Sequence, residues 1–313
     1  RVLVGFHQKK ANRITDMLSC DILPKHVSDL LPHWRELINQ LSVPDQVPQL
    51  EFAIGEGKEF GALSTVFVLR HMVPLGQGDQ QLLREFAEKH HIDLWLQPGD
   101  LDTAKPFYPE DSYLCYRLPE FDIEMPFKPT DFTQVNHQIN QVLVGRAVRL
   151  LDPEQEDRVL DLFCGIGNFT LPLARWASQV FGIEGSSSLT DRAKENAIHN
   201  QLGDKVNFAC SNLFEVDTQV IKSWGKASKW LIDPPRDGAM ALMTSLAELA
   251  KSGNSEDHAY LPKRIVYVSC NPATLARDVG ILVKDTGYQL KSAGVVNMFP
   301  HTSHIESIAV FER

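Results

Sequence analysis

One segment of the sequence, VLDLFCGIGNFTLPLA at residues 159–174, restricts the possible folds more than any other. It begins with an apolar run rich in strand-forming side chains, continues through Gly165 and Gly167, and ends with apolar residues at helical spacing. This order predicts a strand, a tight glycine turn and a helix. Because glycine lacks a Cβ, such a turn can approach a ligand closely, while the helix N-terminus points its N–H groups at it. The segment therefore indicates a site for a nucleotide-like cofactor.

The residues around this turn indicate which cofactor it is. A dinucleotide site has a third glycine in the pattern G-x-G-x-x-G, and Thr170 stands at that place here. A second apolar run, residues 179–184, ends in Glu184, whose carboxylate can accept hydrogen bonds from both hydroxyls of a ribose. Together these features resemble the S-adenosylmethionine fold of class I methyltransferases. The expected fold is α/β, a Rossmann-like doubly wound sheet with an N-terminal α/β domain before it.

Composition and charge exclude several other classes of protein. The chain has 313 residues, a net charge of −9 and no apolar run long enough to cross a membrane. Five widely spaced cysteines argue against a disulfide framework and favour a reducing compartment, so we expect a cytoplasmic protein, with a monomer as the default. Because neither half is basic, RNA would have to be held by a local patch or by a part outside this sequence. The chain begins at Arg1, and we expect it to be a fragment whose natural N-terminus has been removed.

The distribution of apolar residues predicts two domains, residues 1–130 and residues 131–313. In the first domain, strand-like runs begin at residues 1–7 and are interspersed with helical stretches, of which one covers residues 27–41. Pro32 is expected to break that stretch into two pieces. The first domain has no nucleotide fingerprint, so we interpret it as a domain that positions the substrate.

In the second domain, strand-like and helical runs alternate throughout, which predicts a doubly wound parallel sheet. A helix is expected to open within residues 132–136, with Thr133 as its N-cap, and to run to about Leu151. The last two strands are expected at residues 289–297 and 305–311.

Three predicted strands of the second domain end in polar or reactive residues, namely Glu184, Asp233 and Cys270. Ligands of open α/β sheets bind beyond the carboxyl ends of the strands, so these residues should converge on one crevice. Cys270 directly precedes a predicted helix, whose N-terminus can lower the pKa of a thiol. A thiolate that adds to C6 of a uracil makes C5 nucleophilic enough to take a methyl group. The alternative for Cys270 is a packed structural cysteine.

Glu306 stands among apolar residues in the last predicted strand, where a carboxylate is unusual unless it points into a site. Methylation of a uracil through a thiol adduct needs a base, because the C5 proton must leave before the sulfur can be eliminated. Glu306 is the candidate for this base. The alternative is a carboxylate on the solvent face of the strand.

Five motifs together strongly resemble the RNA uracil-5-methyltransferases: FTQVN at 132–136, DLFCGIGNF at 161–169, DPPR at 233–236, VSCNP at 268–272 and HIE at 304–306. The resemblance is dense over residues 132–313, thinner before them, and closest to the branch that acts on 23S ribosomal RNA. It implies Cys270 as nucleophile, Glu306 as general base, and 5-methyluridine and S-adenosylhomocysteine as products. It also implies an S-adenosylmethionine site lined by Gln134, Phe163, Asn168, Glu184, Asn212 and Asp233. Within that site Glu184 would hold the ribose and Asn212 would lie near the adenine, while Asp233 would face either the methionine or the uracil.

The same branch binds a [4Fe–4S] cluster through four cysteines, of which Cys20 alone has a match here. The other three, together with a small β-barrel RNA-binding domain, would precede Arg1, so the first domain would be a remnant of the cluster-bearing part. We therefore expect the cluster in the longer protein and not in this chain. His301 and His304 are candidates for shaping the site, and we assign neither a part in the chemistry.

Three alternatives remain open at this point. The substrate could be a transfer RNA, because the choice of 23S rRNA depends on the resemblance and on Cys20. The tripeptide Asp-Pro-Pro at residues 233–235 also suits a methyltransferase that acts on nitrogen and needs no thiol. The last alternative is a non-catalytic RNA-binding assembly factor, which the acidic charge of the chain disfavours. In the favoured mechanism the target uridine is flipped out of the RNA stack, since neither C5 nor C6 is open to both reactants within a helix.

Overall fold

The computed structural model describes residues 2–9, 11, 13–298 and 305–313. The chain divides into two compact units, one made of residues 1–115 and 128–130, the other of residues 116–127 and 131–313. Residues 116–127, which the sequence places in the first domain, thus pack with the second unit. No helix in the described ranges is long and apolar enough to cross a membrane.

The first unit is built on a sheet in which four strands lie in the order β4-β3-β2-β1. The strands are β1 (Gln49–Glu56), β2 (Leu63–Arg70), β3 (Asp93–Gln97) and β4 (Lys105–Tyr108), and the helices are α1 (Lys25–Ser28), α2 (Leu31–Gln40) and α3 (Gln77–His90). Strands β2 and β3 run parallel and the other pairs antiparallel. The helices and the sheet share a core centred on Trp34, Phe67 and Leu83.

Two expectations for the first unit have different outcomes. The helical stretch at residues 27–41 is broken in two, as predicted, and Pro32 occupies the first turn of α2, where its lack of an N–H group costs no hydrogen bond. The strand expected at residues 1–7 is wrong for the described part of that run, which forms an isolated bridge between His7 and Ile14. Leu3 and Phe6 in this run are about half exposed, so its alternating pattern has no buried face to stabilise a strand.

The second unit contains a seven-stranded sheet in the order β12-β13-β11-β10-β7-β8-β9. From β5 onward the strands are β5 (Cys115–Leu118), β6 (Ile123–Pro126), β7 (Arg158–Leu162), β8 (Gln179–Glu184), β9 (Val206–Cys210), β10 (Lys229–Ile232), β11 (Arg264–Ser269), β12 (Gln289–Val296) and β13 (Glu306–Glu312). The helices are α4 (His137–Leu151), α5 (Thr170–Ala174), α6 (Ser187–His199), α7 (Thr218–Ser223), α8 (Met240–Lys251) and α9 (Pro272–Thr286). Fully buried side chains such as Leu160, Leu231 and Val266 mark its centre, as expected for parallel strands covered on both faces.

The doubly wound parallel sheet expected from the sequence is confirmed, and the structure adds one antiparallel strand near one edge. Strands β7 to β11 are parallel, whereas β13 runs antiparallel to both of its neighbours, β11 and β12. The reason lies in the connections. Helix α9 carries the chain from β11 to β12 and leaves room for one strand between them, and the segment from β12 to β13 is too short for a helical crossover, so the chain must reverse.

The start of α4 also differs from the prediction. The N-cap is Asn136, whose side-chain oxygen accepts a hydrogen bond from the N–H of Ile139 at 3.1 Å. Thr133 was expected at this place, but residues 132–136 form an irregular segment before the helix. Asn is as good an N-cap as Thr, and it stands directly before the buried apolar stripe. Gln134 therefore lies in a loop and not in the first helical turn.

Candidate active site

The register of the second sheet brings three predicted site residues to the same edge. Leu162, the last residue of β7, pairs with Ile183 of β8 and with Ile232 of β10. The next residues along these strands therefore lie side by side beyond the carboxyl ends of the sheet; they are Phe163, Glu184 and Asp233. The crevice expected from the sequence begins here.

Cys270 and Glu306 meet at the same edge through the antiparallel pair of β11 and β13. Ser269 pairs with Ser307, so in that register the next two residues, Cys270 and Glu306, stand opposite each other. Glu306 is only 3% exposed, and burial raises the pKa of its carboxyl. This burial excludes the alternative interpretation, in which the carboxylate of Glu306 lies on the solvent face of the strand.

The surroundings of Cys270 correct one expectation. The start of α9 was expected to lower the pKa of the thiol, but burial raises it, and the carboxyl groups of Glu306 and Asp233 raise it further. Arg236 acts in the opposite direction. The helix terminus is outweighed because Cys270 lies between two acidic side chains. The thiol is therefore mainly protonated at neutral pH, and it must give up its proton before it can act as a nucleophile.

The glycine turn after β7 has the backbone conformation that its sequence predicts. Gly165 and Gly167 have φ values of 54° and 97°, in the region that favours glycine. A Cβ at Gly165 would meet nothing within 4 Å, so the space above the turn is open to a ligand. Phe163 has φ of 62°, which costs about 1–3 kcal/mol for a residue with a side chain. Its ring packs edge-on against Phe214 at 5.7 Å between centroids.

Glu184 is held beside this turn by two backbone groups. Its Oε2 accepts a hydrogen bond from the N–H of Gly165, and its Oε1 accepts one from the N–H of Ser186, both at 3.0 Å. Each carboxylate oxygen has a further lone pair. The carboxylate is thus oriented at the open side of the turn and can accept two ribose hydroxyls, so the turn and Glu184 fit the adenosine part of S-adenosylmethionine.

The side chain of Asn168 is engaged in a network within the protein. Its Oδ1 accepts hydrogen bonds from the Tyr116 hydroxyl at 2.9 Å and from Asn140 Nδ2 at 2.8 Å, and its Nδ2 donates to Asn140 Oδ1 at 3.0 Å. Sequence reasoning missed Tyr116 and Asn140. For Asn140 there was a signal, because it is a polar residue on the buried stripe of α4 and is only 1% exposed. The network supports the turn, and one N–H of Asn168 is left for a ligand.

Of the other two predicted cofactor residues, Asn212 follows β9 at the same edge of the sheet, and Gln134 lies in the loop before α4. Asn212 is exposed, two residues after Cys210, which pairs with Glu184 across β8 and β9. Its Oδ1 accepts the N–H of Phe214 at 3.0 Å. Gln134 is half-buried, and within the described part of the chain it makes no hydrogen bond with the glycine turn.

Asp161 is a buried acid for which no role was predicted. It is fully buried in β7, and its Oδ2 accepts a hydrogen bond from Thr170 Oγ1 at 2.5 Å. Its Oδ1 has no hydrogen-bond partner among the described residues. Burial, with a smaller contribution from Glu184, raises its pKa to about 7. Thr170 stands where a dinucleotide fingerprint has its third glycine, and its hydroxyl serves here as the hydrogen-bond donor to Asp161.

We expect Asp161 to make the unfolding free energy fall as the pH rises from about 4 to about 7. In the unfolded chain its pKa is near 3.8, whereas in the folded protein it is about 7, so the folded state keeps a proton that the unfolded state has lost. The stability that this proton contributes is complete below the lower pKa and is lost by the upper one. Urea unfolding at several pH values across this window measures the slope.

Asp161→Asn should flatten this slope, because the substituted side chain does not titrate. Asp191→Asn is the matched control, since Asp191 is exposed on α6 and pairs with Lys194. The control should keep the slope of the unmodified chain. An equally steep slope in Asp161→Asn would show that other groups cause it.

The described residues do not fit a metal cluster on their own. Cys20 lies half-buried in the first unit, where its backbone N–H donates to Ser28 Oγ at 2.8 Å. Among the residues that the structure describes, no group of three or more His, Cys, Asp or Glu side chains is arranged to hold a metal ion. His301 and His304 lie outside the described residues.

Known proteins resemble the chain in both sequence and structure. The chain is 58% identical over 319 residues to the 23S rRNA (uracil(1939)-C(5))-methyltransferase RlmD of Polynucleobacter necessarius subsp. necessarius, and 60% identical over 312 residues to the protein of the same name from Burkholderia pseudomallei. Each alignment covers all of this chain, which spans 66% and 65% of the two relatives.

Comparison with solved structures identifies the fold. The crystal structure of Pyrococcus abyssi tRNA (uracil-54, C5)-methyltransferase in complex with S-adenosyl-L-homocysteine superposes with a TM-score of 0.68 at 23% identity, over 97% of this chain and 71% of that one. The fold is that of class I S-adenosylmethionine-dependent methyltransferases. The model of the tRNA (uracil-5-)-methyltransferase family matches residues 110–313, which include the glycine turn and both members of the thiol and carboxylate pair. The chain therefore belongs to the tRNA (uracil-5-)-methyltransferase family.

Proposed function

We propose that the chain catalyses the S-adenosylmethionine-dependent methylation of C5 of a uridine in 23S rRNA, at position 1939, the position in the names of its relatives. The observation that carries the proposal is the pair of Cys270 and Glu306, which stand opposite each other beside Asp233 at the carboxyl edge of the sheet. A methyltransferase acting on nitrogen needs no such pair. Because the chain spans about two thirds of these relatives, their complete activity is carried over to it as a proposal.

The cofactor and the target uridine would approach the crevice from different sides. Glu184 would accept hydrogen bonds from the two ribose hydroxyls of the cofactor. The open space above Gly165 would receive the adenosine part of the cofactor. Phe163, Asn168, Asn212 and Gln134 would complete this side of the site. When bound, S-adenosylmethionine supplies an electrophilic methyl group. The uridine would be flipped out of its RNA so that both faces of its ring are accessible.

Cys270 would act first: its thiol would give its proton to solvent, and its sulfur would add to C6 of the uracil. The electron pair of the C5–C6 double bond would then make C5 the nucleophile that takes the methyl group. The bond between that methyl group and the cofactor sulfur would break, so that S-adenosylhomocysteine is the leaving group. Glu306 would next remove the proton from C5, and the electrons of the C5–H bond would re-form the double bond as the sulfur leaves C6. The raised pKa of Glu306 suits this role, because a base works best when its pKa is near the working pH.

Burial and the neighbouring Glu306 carboxyl raise the pKa of Asp233 well above its ordinary value. A carboxyl group that is protonated at neutral pH can donate a hydrogen bond. We propose that Asp233 contacts the methionine end of the cofactor or a carbonyl oxygen of the uracil, and that its acidic neighbours favour the protonated form. This property would keep two adjacent carboxylates from both being ionised beside the thiol.

The test of the proposed function is a methyl-transfer assay with three RNAs. The chain is incubated with methyl-labelled S-adenosylmethionine and a 23S rRNA fragment containing uridine 1939, the same fragment with cytidine there, or a transfer RNA transcript. We expect labelled 5-methyluridine in the first RNA alone. Label in the transfer RNA alone would establish the other substrate class, and labelled N-methyl nucleosides would overturn the uracil-C5 mechanism.

A parallel assay uses the chain extended by the part of the Burkholderia pseudomallei relative that this chain does not cover. Activity of the extended protein without activity of the chain would assign RNA capture to that additional part. In that longer protein Cys20 would be one of four cysteines that hold a [4Fe–4S] cluster. We also propose that the protein works in the cytoplasm as a monomer, which is consistent with the free state of all five cysteines.

We expect Glu184→Gln to weaken S-adenosylmethionine binding by roughly 10-fold to 100-fold, the free energy of one or two hydrogen bonds to a charged group. The amide keeps the shape but loses the charge, and its NH₂ group faces a backbone N–H, either that of Gly165 or that of Ser186. Isothermal titration calorimetry with the cofactor measures the effect. Glu195→Gln, at an exposed position on α6, is the matched control and should bind normally. Normal affinity of Glu184→Gln would exclude a ribose contact.

A further inference from the structure

We propose that Asp278 is a positioning residue for methyl transfer, because it fastens the segment after Asp233 to the helix after Cys270. This inference rests on the proposed function, since it assigns Asp233 and Cys270 to one reaction centre. Asp278 lies in the second turn of α9, eight residues beyond the thiol. It does not reach the crevice through its own side chain, so any effect on the reaction must pass through the groups it binds.

The carboxylate of Asp278 is fully buried, yet each of its oxygens has two donors. Oδ2 accepts hydrogen bonds from the Tyr267 hydroxyl and from the backbone N–H of Ala239, both at 2.6 Å. Oδ1 accepts a hydrogen bond from Nε of Arg277 at 2.8 Å, and a terminal nitrogen of the same guanidinium lies 2.7 Å from Oδ1. A buried carboxylate is stable only when it is paired and hydrogen-bonded in this way. These donors come from three different elements, so Asp278 is a junction between them.

The segment bound to this junction is residues 236–239, which continues the Asp-Pro-Pro motif. Its backbone is held from the first two turns of α9 at successive residues. The carbonyl of Arg236 accepts hydrogen bonds from Asn271 Nδ2 at 3.0 Å and from Thr274 Oγ1 at 3.1 Å. The carbonyl of Asp237 accepts one from Arg277 at 2.7 Å. With the N–H of Ala239 on Asp278, the segment is fixed along its whole length.

Gly238 shows how closely the segment lies against the helix. Its φ is +75°, and a Cβ built there would stand 2.6 Å from both Arg277 and Asp278 side-chain atoms. It would also stand 3.0 Å from Cβ of Thr274. Both the backbone conformation and the lack of space require glycine. The contact between segment and helix is therefore tight at its centre and hydrogen-bonded on both sides.

This arrangement connects two strand ends that the proposed reaction uses. Asp233 follows β10, and the fastened segment begins three residues later. Tyr267 lies in β11, three residues before Cys270, and its hydroxyl binds the same carboxylate oxygen as Ala239. Beta-sheet pairing joins Ile232 to Tyr267, and Asp278 in addition fixes the segment that follows Asp233 against the strand and helix that flank the thiol. A displacement of about 1 Å between reacting groups can lower a rate by about 100-fold.

The test compares Asp278→Asn with the unmodified chain in two measurements. The first is the rate of the covalent adduct between Cys270 and an rRNA fragment carrying 5-fluorouridine, at saturating S-adenosylmethionine. The second is the affinity for S-adenosylmethionine. We expect the adduct rate to fall by about 100-fold while the affinity stays unchanged, because the ribose site is built on β7 and β8. An unchanged adduct rate, or a parallel loss of affinity, would overturn the positioning role.

Two further variants keep the test decisive if Asp278→Asn does not fold. Thr274→Val and Tyr267→Phe each remove one hydroxyl from the network, and each should slow the adduct with little effect on the melting temperature. Normal adduct rates in both variants would overturn the proposal. The matched control is Asp285→Asn. Asp285 lies on α9, the helix of Asp278, and forms an ion pair at the surface with Lys251 of α8, so this variant should keep the normal rate. If the unmodified chain forms no adduct, the failure is that of the proposed function and not of the positioning role.

Discussion

Cys270→Ala should lower methyl transfer to the rRNA fragment by about 10⁴-fold or more, because without the nucleophile C5 of uracil is never activated. The same substitution should remove the covalent complex with RNA that carries 5-fluorouridine. Fluorine at C5 cannot leave as the proton does, so the unmodified chain is trapped after methyl transfer. Denaturing electrophoresis with methyl-labelled S-adenosylmethionine shows the trapped complex as a labelled RNA–protein band.

The control for this experiment is Cys210→Ala. Cys210 is an exposed cysteine at the end of β9, near the same edge of the sheet, and its thiol contacts only the carbonyl of Gly185 among the contacts described. It should form the labelled band normally. Methyl transfer that survives Cys270→Ala would reject the thiol mechanism and favour a methyltransferase acting on nitrogen.

Glu306→Gln should stop the reaction at a later point and with a different signature. The thiol can still add and C5 can still take the methyl group, but the C5 proton has no acceptor. We expect turnover to fall by about 10²-fold to 10⁴-fold, the usual contribution of a general base. A methylated RNA–protein complex should accumulate on RNA with ordinary uridine, where the unmodified chain leaves none. Electrophoresis and mass spectrometry of the complex measure both effects.

Glu312→Gln is the matched control for Glu306→Gln. Glu312 ends the same strand at the opposite edge of the sheet and pairs with Arg264. It should release its product normally. A Glu306→Gln variant that turns over at the normal rate would show that another group takes the proton. One that forms no complex at all would move the role of Glu306 to the activation of the thiol.

The parts of the site that the sequence predicted are those set by neighbours along the chain. The strand, the turn at Gly165 and Gly167, and the helix after it follow from local conformational preferences and are confirmed. The positions of Glu184 and Asp233 at the ends of strands also follow from local patterns. Because parallel strands end at one edge of a sheet, their convergence could be predicted without knowing the order of the strands.

The parts that the sequence did not predict depend on groups that are distant along the chain. The pKa of Cys270 was expected to fall because its helix is adjacent in sequence. Burial raises it instead, and so do the carboxyl groups of Glu306 in β13 and of Asp233 after β10. The unpartnered oxygen of Asp161 depends on burial by several elements. The direction of β13 depends on the space that α9 leaves between two strands. None of these is encoded in a local pattern.

The insertion of β13 between β11 and β12 also means that the site is complete only when this last strand is in place. A chain whose parallel strands have assembled, but whose β13 has not yet inserted between β11 and β12, has the nucleophile in place and lacks the base. Under the proposed mechanism such a chain would have the thiol that adds to C6 and would lack the carboxylate that removes the C5 proton. Insertion of this one strand therefore completes the sheet and brings the base to the nucleophile together.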